Sequence, residues 1–326
     1  MNKLSILIVF IFSQTVMGQS YKKSEPFTHT YSIVARDSVT GDMGVAVQSH
    51  WFSVGSIVTY GKAGIGVVAT QSLVNPSYGP KGLALMGEGL SPQQALDVLL
   101  ANDSGEMYRQ VAFLNTNGAV ATHTGNLCID AAGHKQGKDF SVQANMMLNN
   151  TVWDAMANAF ETTSGALSER MLAALKAAEG EKGDIRGKQS AAILIVKGVA
   201  SGNSWEDTIM DLRIEDHDNP LVELERLMKV HKAYDFMNKG DLAMEEGDSK
   251  KAETLYLGAQ KLFPENLEMQ YWYAINLLNN KEFIKAHSIL ESIFKQDDNW
   301  RALTSRLVKS KLLMISKSEL ENVMKL

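Results

Sequence analysis

Residues 28–70, THTYSIVARDSVTGDMGVAVQSHWFSVGSIVTYGKAGIGVVAT, decide the fold class. Tyr31, Ile33 and Ala35 alternate with Ser32, Val34 and Arg36, which is the period of a strand, and a Thr40-Gly41-Asp42 turn separates this run from residues 44–48. A second pair of runs, 56–62 and 65–70, reverses at Ala63-Gly64, where glycine supplies the backbone freedom a tight turn needs. The stretch predicts two hairpins, read as four consecutive strands of one antiparallel sheet.

Further along, Ser91-Pro92-Gln93-Gln94 offers an N-cap, a proline at the first helical position and a capping-box glutamine ahead of Ala95, Leu96 and Leu99. Runs 111–114 and 119–122 flank the turn Asn115-Thr116-Asn117-Gly118, and 140–146 is a further strand. Thr151 and Asp154 repeat the capping pattern before Met156 and Phe160, and Leu167, Met171, Leu172 and Leu175 mark a second amphipathic helix. Strands return at 189–196 and 208–214. Hairpins rather than strand-helix-strand alternation argue against a doubly wound parallel sheet. Residues 65–69 and 191–196 are apolar on both faces and must be covered on both. Together these features predict an α+β protein built as a four-layer αββα sandwich over residues 28–229.

The sequence opens with Lys3, an apolar run at residues 4–12 and Val16-Met17-Gly18, the pattern of an export signal at 1–18 cut ahead of Gln19. That run is too short to span a bilayer as a helix. No cysteine stands near the cut to carry a lipid. The expected mature protein is exported, without a membrane anchor, and begins with an exposed segment at 19–27. Its formal charge of -5 becomes more negative once Lys3 leaves. No basic stripe interleaved with aromatics points to nucleic acid. Cys128 is the single cysteine, which excludes an intrachain disulfide and fits a small buried apolar residue.

From residue 230 the composition turns lysine- and glutamate-rich with helical periodicity, after a helix that starts at Asn219-Pro220 and runs towards Leu227. Gly240, Gly247, Ala252, Tyr256, Ala259 and Pro264 stand at the spacings of a tetratricopeptide repeat, and Ala274 and Ala286 continue it in register. Residues 303–326 read as a capping or partial third helix pair. Two repeats bury little core, so residues 230–326 are expected to lean on the first domain or to form a homo-oligomer.

No GxSxG, HExxH, P-loop or GxGxxG string occurs, which removes the commonest serine-hydrolase, zincin and nucleotide-binding readings. His123, Asp130 and His134 lack ligand-type spacing and read as structural polar residues, with no metal or other cofactor expected. Ser49, His50 and Asp37 hold the groups of a nucleophile, base and acid, but nothing in their spacing assembles them.

The runs TYSIVARD, GDMGVAVQS, GIGVVATQSLVNPSYGPKGL, ATHTGNLCIDAAGH, QANMM and GDIRGKQSAAILIV, in that order, resemble the bacterial and archaeal family catalogued as domain of unknown function 1028. The resemblance covers about residues 28–226. It implies an N-terminal-nucleophile (Ntn) hydrolase fold, the sandwich reached above. It also implies Thr30 as a nucleophile served by its own α-amine, with Lys62 assisting its ionisation and Ser49, Thr70 and Gln71 lining the same cleft. Two function classes follow. One is an exported amidohydrolase cutting peptide or amide bonds, with the repeats recruiting a partner. The other is an inactive sandwich that binds an exported protein or peptide through the repeats.

Overall fold

The computed structural model describes residues 27, 28 and 30–326; the expected signal at 1–18 and residues 19–26 lie outside the described residues. First in order are β1 (Phe27–Thr28), β2 (Thr30–Arg36), β3 (Met43–Ser49), α1 (Gly55–Val58), β4 (Thr59–Lys62) and β5 (Gly66–Leu73). Helices α2 (Tyr78–Gly87) and α3 (Pro92–Ala101) precede β6 (Arg109–Asn115), β7 (Val120–Thr124), β8 (Gly133–Gly137) and β9 (Phe140–Ala144). Next are α4 (Val152–Thr162), α5 (Leu167–Gly180), β10 (Ser190–Val196) and β11 (Thr208–Ile214).

The two predicted hairpins form, but not in one sheet. Strands β4 and β5 belong to a sheet ordered β1-β5-β6-β7, with β4 also paired to β5. Strands β2 and β3 sit in the middle of a second, ordered β11-β10-β3-β2-β9-β8. Short-range pattern specifies a hairpin, whereas its neighbours, here β9 and β10, come from more than a hundred residues away. The run from Ser56 also starts as helix α1, not strand. Phe27, expected in an exposed segment, is instead paired with Leu73 as β1. Thr28 thus belongs to the first sheet and Thr30 to the second.

Alternation along the strands sorts the core into three layers. Val34, Val45, Val47, Val67, Ala69 and Leu114 pack between the sheets. Val68, Val111 and Phe113, on the far face of the first sheet, meet Leu83, Met86 and Leu96 of α2 and α3. Gly82 is required here, because a Cβ would come within 2.4 Å of the Phe113 ring. Ile33, Val142 and Ile193, on the far face of the second sheet, meet Met156, Phe160, Met171 and Leu175 of α4 and α5. The predicted capping box at Ser91 is present. Thr151 does not cap α4; its hydroxyl donates to Glu181 instead.

The helical region departs from expectation at its start. One continuous helix, α6 (Pro220–Glu245), runs through residue 230. Its first half gives Leu221, Leu224 and Met228 to the core under the second sheet. Its second half gives Ala233, Met237 and Ala243 to a separate core shared with α7 (Ser249–Leu262), α8 (Leu267–Asn279) and α9 (Phe283–Gln296). Helices α10 (Asn299–Leu307) and α11 (Lys317–Val323) close that core with Leu307 and Val323. Helix α6 contributes to both cores, and a protein ending at Lys229 keeps every apolar residue of the core under the second sheet. Such a truncated protein is expected to melt in one cooperative transition by circular dichroism; aggregation on purification would show that the sheets depend on the helical region.

Candidate functional site

The layer between the sheets is apolar at one end and polar at the other. Inward positions on β2 read Val34, Ser32, Thr30; on β3 Val45, Val47, Ser49; on β5 Val67, Ala69, Gln71; and on β6 Leu114, Ala112, Gln110. Ser141 and Gln143 of β9, Asn145 just beyond it and Ser190 of β10 complete the polar end, and all of these polar residues are fully buried. A buried amide without partners costs several kcal/mol, roughly 2–7 by transfer measures, so the cluster persists only if it satisfies itself.

It does so through glutamines. The Ser32 hydroxyl donates to Gln71 Oε1 at 2.6 Å and accepts from Gln143 Nε2 at 2.6 Å. Gln71 Nε2 donates to Gln110 Oε1 at 2.7 Å and to the Thr30 carbonyl at 3.2 Å. Gln110 Oε1 also accepts from Asn145 Nδ2 at 2.9 Å, and Gln110 Nε2 reaches the Ala144 carbonyl at 2.9 Å and Thr124 Oγ1 at 3.0 Å. Asn145 adds its backbone N–H to the Thr30 carbonyl at 3.1 Å. Thr30 is the head of this network. Its hydroxyl donates to the Thr28 carbonyl at 2.9 Å, across residue 29.

Of the residues named from the sequence, Thr30, Ser49 and Gln71 come together; Ser49 is the cross-strand neighbour of Thr30, with Ser190 next to it. Thr70 does not join them. It lies on the opposite face of β5 and donates to the Asn75 carbonyl at 3.2 Å. Lys62 is exposed and pairs with Gly66, five residues along β5 from Gln71, or about 17 Å at the rise of a strand, so its side chain cannot reach Thr30. Asp37 caps the turn at the far end of the β2–β3 hairpin, well away from Ser49 and His50. His123 Nε2 lies 2.9 Å from the Glu106 carbonyl, and His134 Nδ1 lies 2.8 Å from Thr124 Oγ1. Burial, then the neighbouring His123, lowers the pKa of His134.

Residues 30–224 match the model of a family of unknown function, DUF1028. The chain belongs to the DUF1028 family. A solved structure of the same family, the crystal structure of protein SPO2555 from Silicibacter pomeroyi, is similar at 33% identity and a TM-score of 0.57, over 62% of this chain and 85% of that one. The comparison with curated proteins gave no match. The DUF1028 region starts at Thr30 and ends at Leu224, within the half of α6 that packs on the sheets, and leaves residues 225–326 outside.

Two buried clusters brace the network of the DUF1028 region from its outer faces. Behind β2, the Tyr31 phenol lies within hydrogen-bond reach of Gln48 Oε1 and donates to Glu179 Oε1 at 2.6 Å. Burial, then the charge of Glu179, pushes the Tyr31 pKa well above its ordinary value. Behind β6, Arg109 is 2% exposed and closes Nε and Nη2 on the Asp103 carboxylate at 2.8 and 3.2 Å, while Nη1 donates to the Leu73 carbonyl at 2.6 Å. Burial raises the Asp103 pKa, but hydrogen bonds from Arg109 and the Gly105 N–H together with the Arg109 charge outweigh it and bring it down to about 2. Cys128 donates to the Arg109 carbonyl at 3.3 Å, and burial pushes its thiol up, which keeps it a poor thiolate.

Sequence reading missed Ser32, Gln110, Gln143 and Asn145. The signal for them was present: a glutamine interrupts each of the apolar runs GVVATQSL, RQVAFLN and FSVQA. A buried amide in a strand needs a partner on another strand.

Proposed function

We propose that the protein is an exported Ntn-type amidohydrolase that cleaves peptide or amide bonds with Thr30 as nucleophile. Two sheets packed face to face, with α2–α3 and α4–α5 on their outer sides, are the layering that a four-layer αββα sandwich requires. The observation that carries the reading is the place of Thr30. It is the first residue of a central strand; its carbonyl accepts from Gln71 and Asn145 of a network made of hydroxyls and amides alone, and its hydroxyl donates to the Thr28 carbonyl. None of those groups can take a proton from a threonine at neutral pH. An α-amine, which ordinarily titrates at about 7.7 to 8.0, can do so from the same residue. The mechanism therefore requires a cut between His29 and Thr30. Lys62 has no part in it.

In the uncut protein the Thr30 hydroxyl is fully buried and held by the Thr28 carbonyl, so a protein that is never cut is a binding protein and not a hydrolase. The helical region serves either form as a tetratricopeptide-like unit that takes a partner peptide or a second copy. In support, a Cβ on Gly240 would come within 2.6 Å of the Tyr256 ring, the close helix approach that the repeat spacing anticipates. Intact-mass measurement on protein from its native cells separates the two forms. The expected mass begins at Thr30; a mass beginning at Gln19 in all of the protein overturns the hydrolase reading.

A further inference from the structure

At the end of the sheets opposite Thr30, the tips of four hairpins surround a cavity of ≈ 600 Å³. Arg36 lines it, six residues along β2 from Thr30 and about 20 Å away. Val39, Thr40 and Gly41 come from the β2–β3 turn, and Val199 and Ala200 from the β10–β11 connection. Val39 and Val199 are 92% and 80% exposed, an apolar rim facing solvent.

The guanidinium of Arg36 is used unlike those of four other arginines. Arg109, Arg186, Arg213 and Arg226 each close the side-on fork, Nε with Nη2, on one carboxylate, at 2.6 to 3.2 Å. Arg36 reaches Asp139 only through Nη1, at 3.3 Å, which is long for a charge-assisted bond. Its Nε is buried with no acceptor, and Nη2 has none among the described residues. The other carboxylates of this end are engaged by backbone. Asp37 Oδ1 accepts from Val39 and Thr40, and Asp42 Oδ1 from Gly198. A buried Nε lacking an acceptor, on a side chain 22% exposed beside an open cavity, is a donor waiting for one.

We propose that this cavity binds a carboxylate borne on a small apolar group, held side-on by Nε and Nη2 of Arg36 after a small rotation of the side chain into the cavity. The planar fork matches a carboxylate. The partial neutralisation of Arg36 by Asp139 favours a single negative charge over the two of a phosphate, and the valine rim takes the apolar portion. A free small acid and the C-terminus of a peptide share this chemistry.

Calorimetric titration of the full-length protein with isobutyrate, acetyl-Ala-Ala-Val, the C-terminal amide of that peptide and inorganic phosphate tests the site. Isobutyrate or the free-acid peptide is expected to bind at least tenfold more tightly than the amide or phosphate, and the tighter of the two names the source. Arg36→Lys, which keeps the charge and loses the fork, and Val199→Glu, which sets a like charge on the rim at an exposed position, are each expected to weaken that binding at least tenfold. Val199→Glu decides the matter if Arg36→Lys fails to fold. No binding by either carboxylate, equal binding by the amide or by phosphate, or binding unchanged in the folded variants overturns the proposal.

Discussion

Thr30→Ala is expected to reduce the proposed amide hydrolysis by at least about 10³-fold, the upper range of what one positioned proton-transfer group supplies, because the substitution removes the proposed nucleophile itself. The fold should survive. The hydroxyl makes one hydrogen bond, to the Thr28 carbonyl, and its loss costs about 1 kcal/mol. Thr30→Ser keeps the oxygen and should retain measurable turnover. The rate of the active form should rise with pH through about 7.7 to 8.0, because the α-amine acts as base only when neutral. Turnover of a peptide or amide library by purified protein, with its N-terminus read by mass, checks these statements together. Full activity in Thr30→Ala, or in protein still carrying residues 19–29, would rule out the mechanism.

The largest effect on stability is expected at Asp103. Asp103→Ala leaves the guanidinium of Arg109, 2% exposed, without the carboxylate that closes its fork, and breaking a buried pair in this way costs about 3–5 kcal/mol. Tyr78 and Asn75 lose a partner on the same carboxylate. Urea denaturation at pH 7 measures the loss. The same carboxyl sets an acid limb. Unfolded, it takes a proton near its ordinary 3.8; folded, only near about 2, so the folded state prefers it ionised. Its contribution of about 2 kcal/mol is complete above the unfolded value and disappears as pH falls towards 2. Asp103→Asn should flatten the loss of stability between pH 4 and pH 2; an unchanged acid limb would place the sensitive group elsewhere.

The sequence carried its local features in readable form. The turns at Gly41 and Gly118 and the Ser91 capping box depend on residues within four positions of one another, and the structure has them where the pattern predicts them. What could not be read was partnership across distance. Both hairpins were recognisable, yet whether they shared a sheet depended on β10 reaching β3 and on β6 reaching β5. The same limit separates the site residues. Gln71 meets Gln110, 39 residues away, because β5 pairs with β6, and the Thr30 carbonyl, 41 residues away, because the two sheets face each other there. Thr70 is adjacent in sequence and points the other way. Lys62 was assigned by likeness to a family pattern, and only the register of β4 against β5 reveals that it stands at the wrong end.

The two-residue strand β1 gives any cut after residue 29 a direction in time. While the backbone is whole, Phe27 and Thr28 are tethered beside Leu73 and Ser72, and the tether supplies a local concentration in the millimolar range. Once severed, a segment held by two cross-strand pairs becomes an ordinary diffusing peptide and is lost to dilution. A molecule unfolded after that event would have to refold without the strand that first bordered Leu73. The state reached in the cell would then depend on the order of past events and not on equilibrium alone.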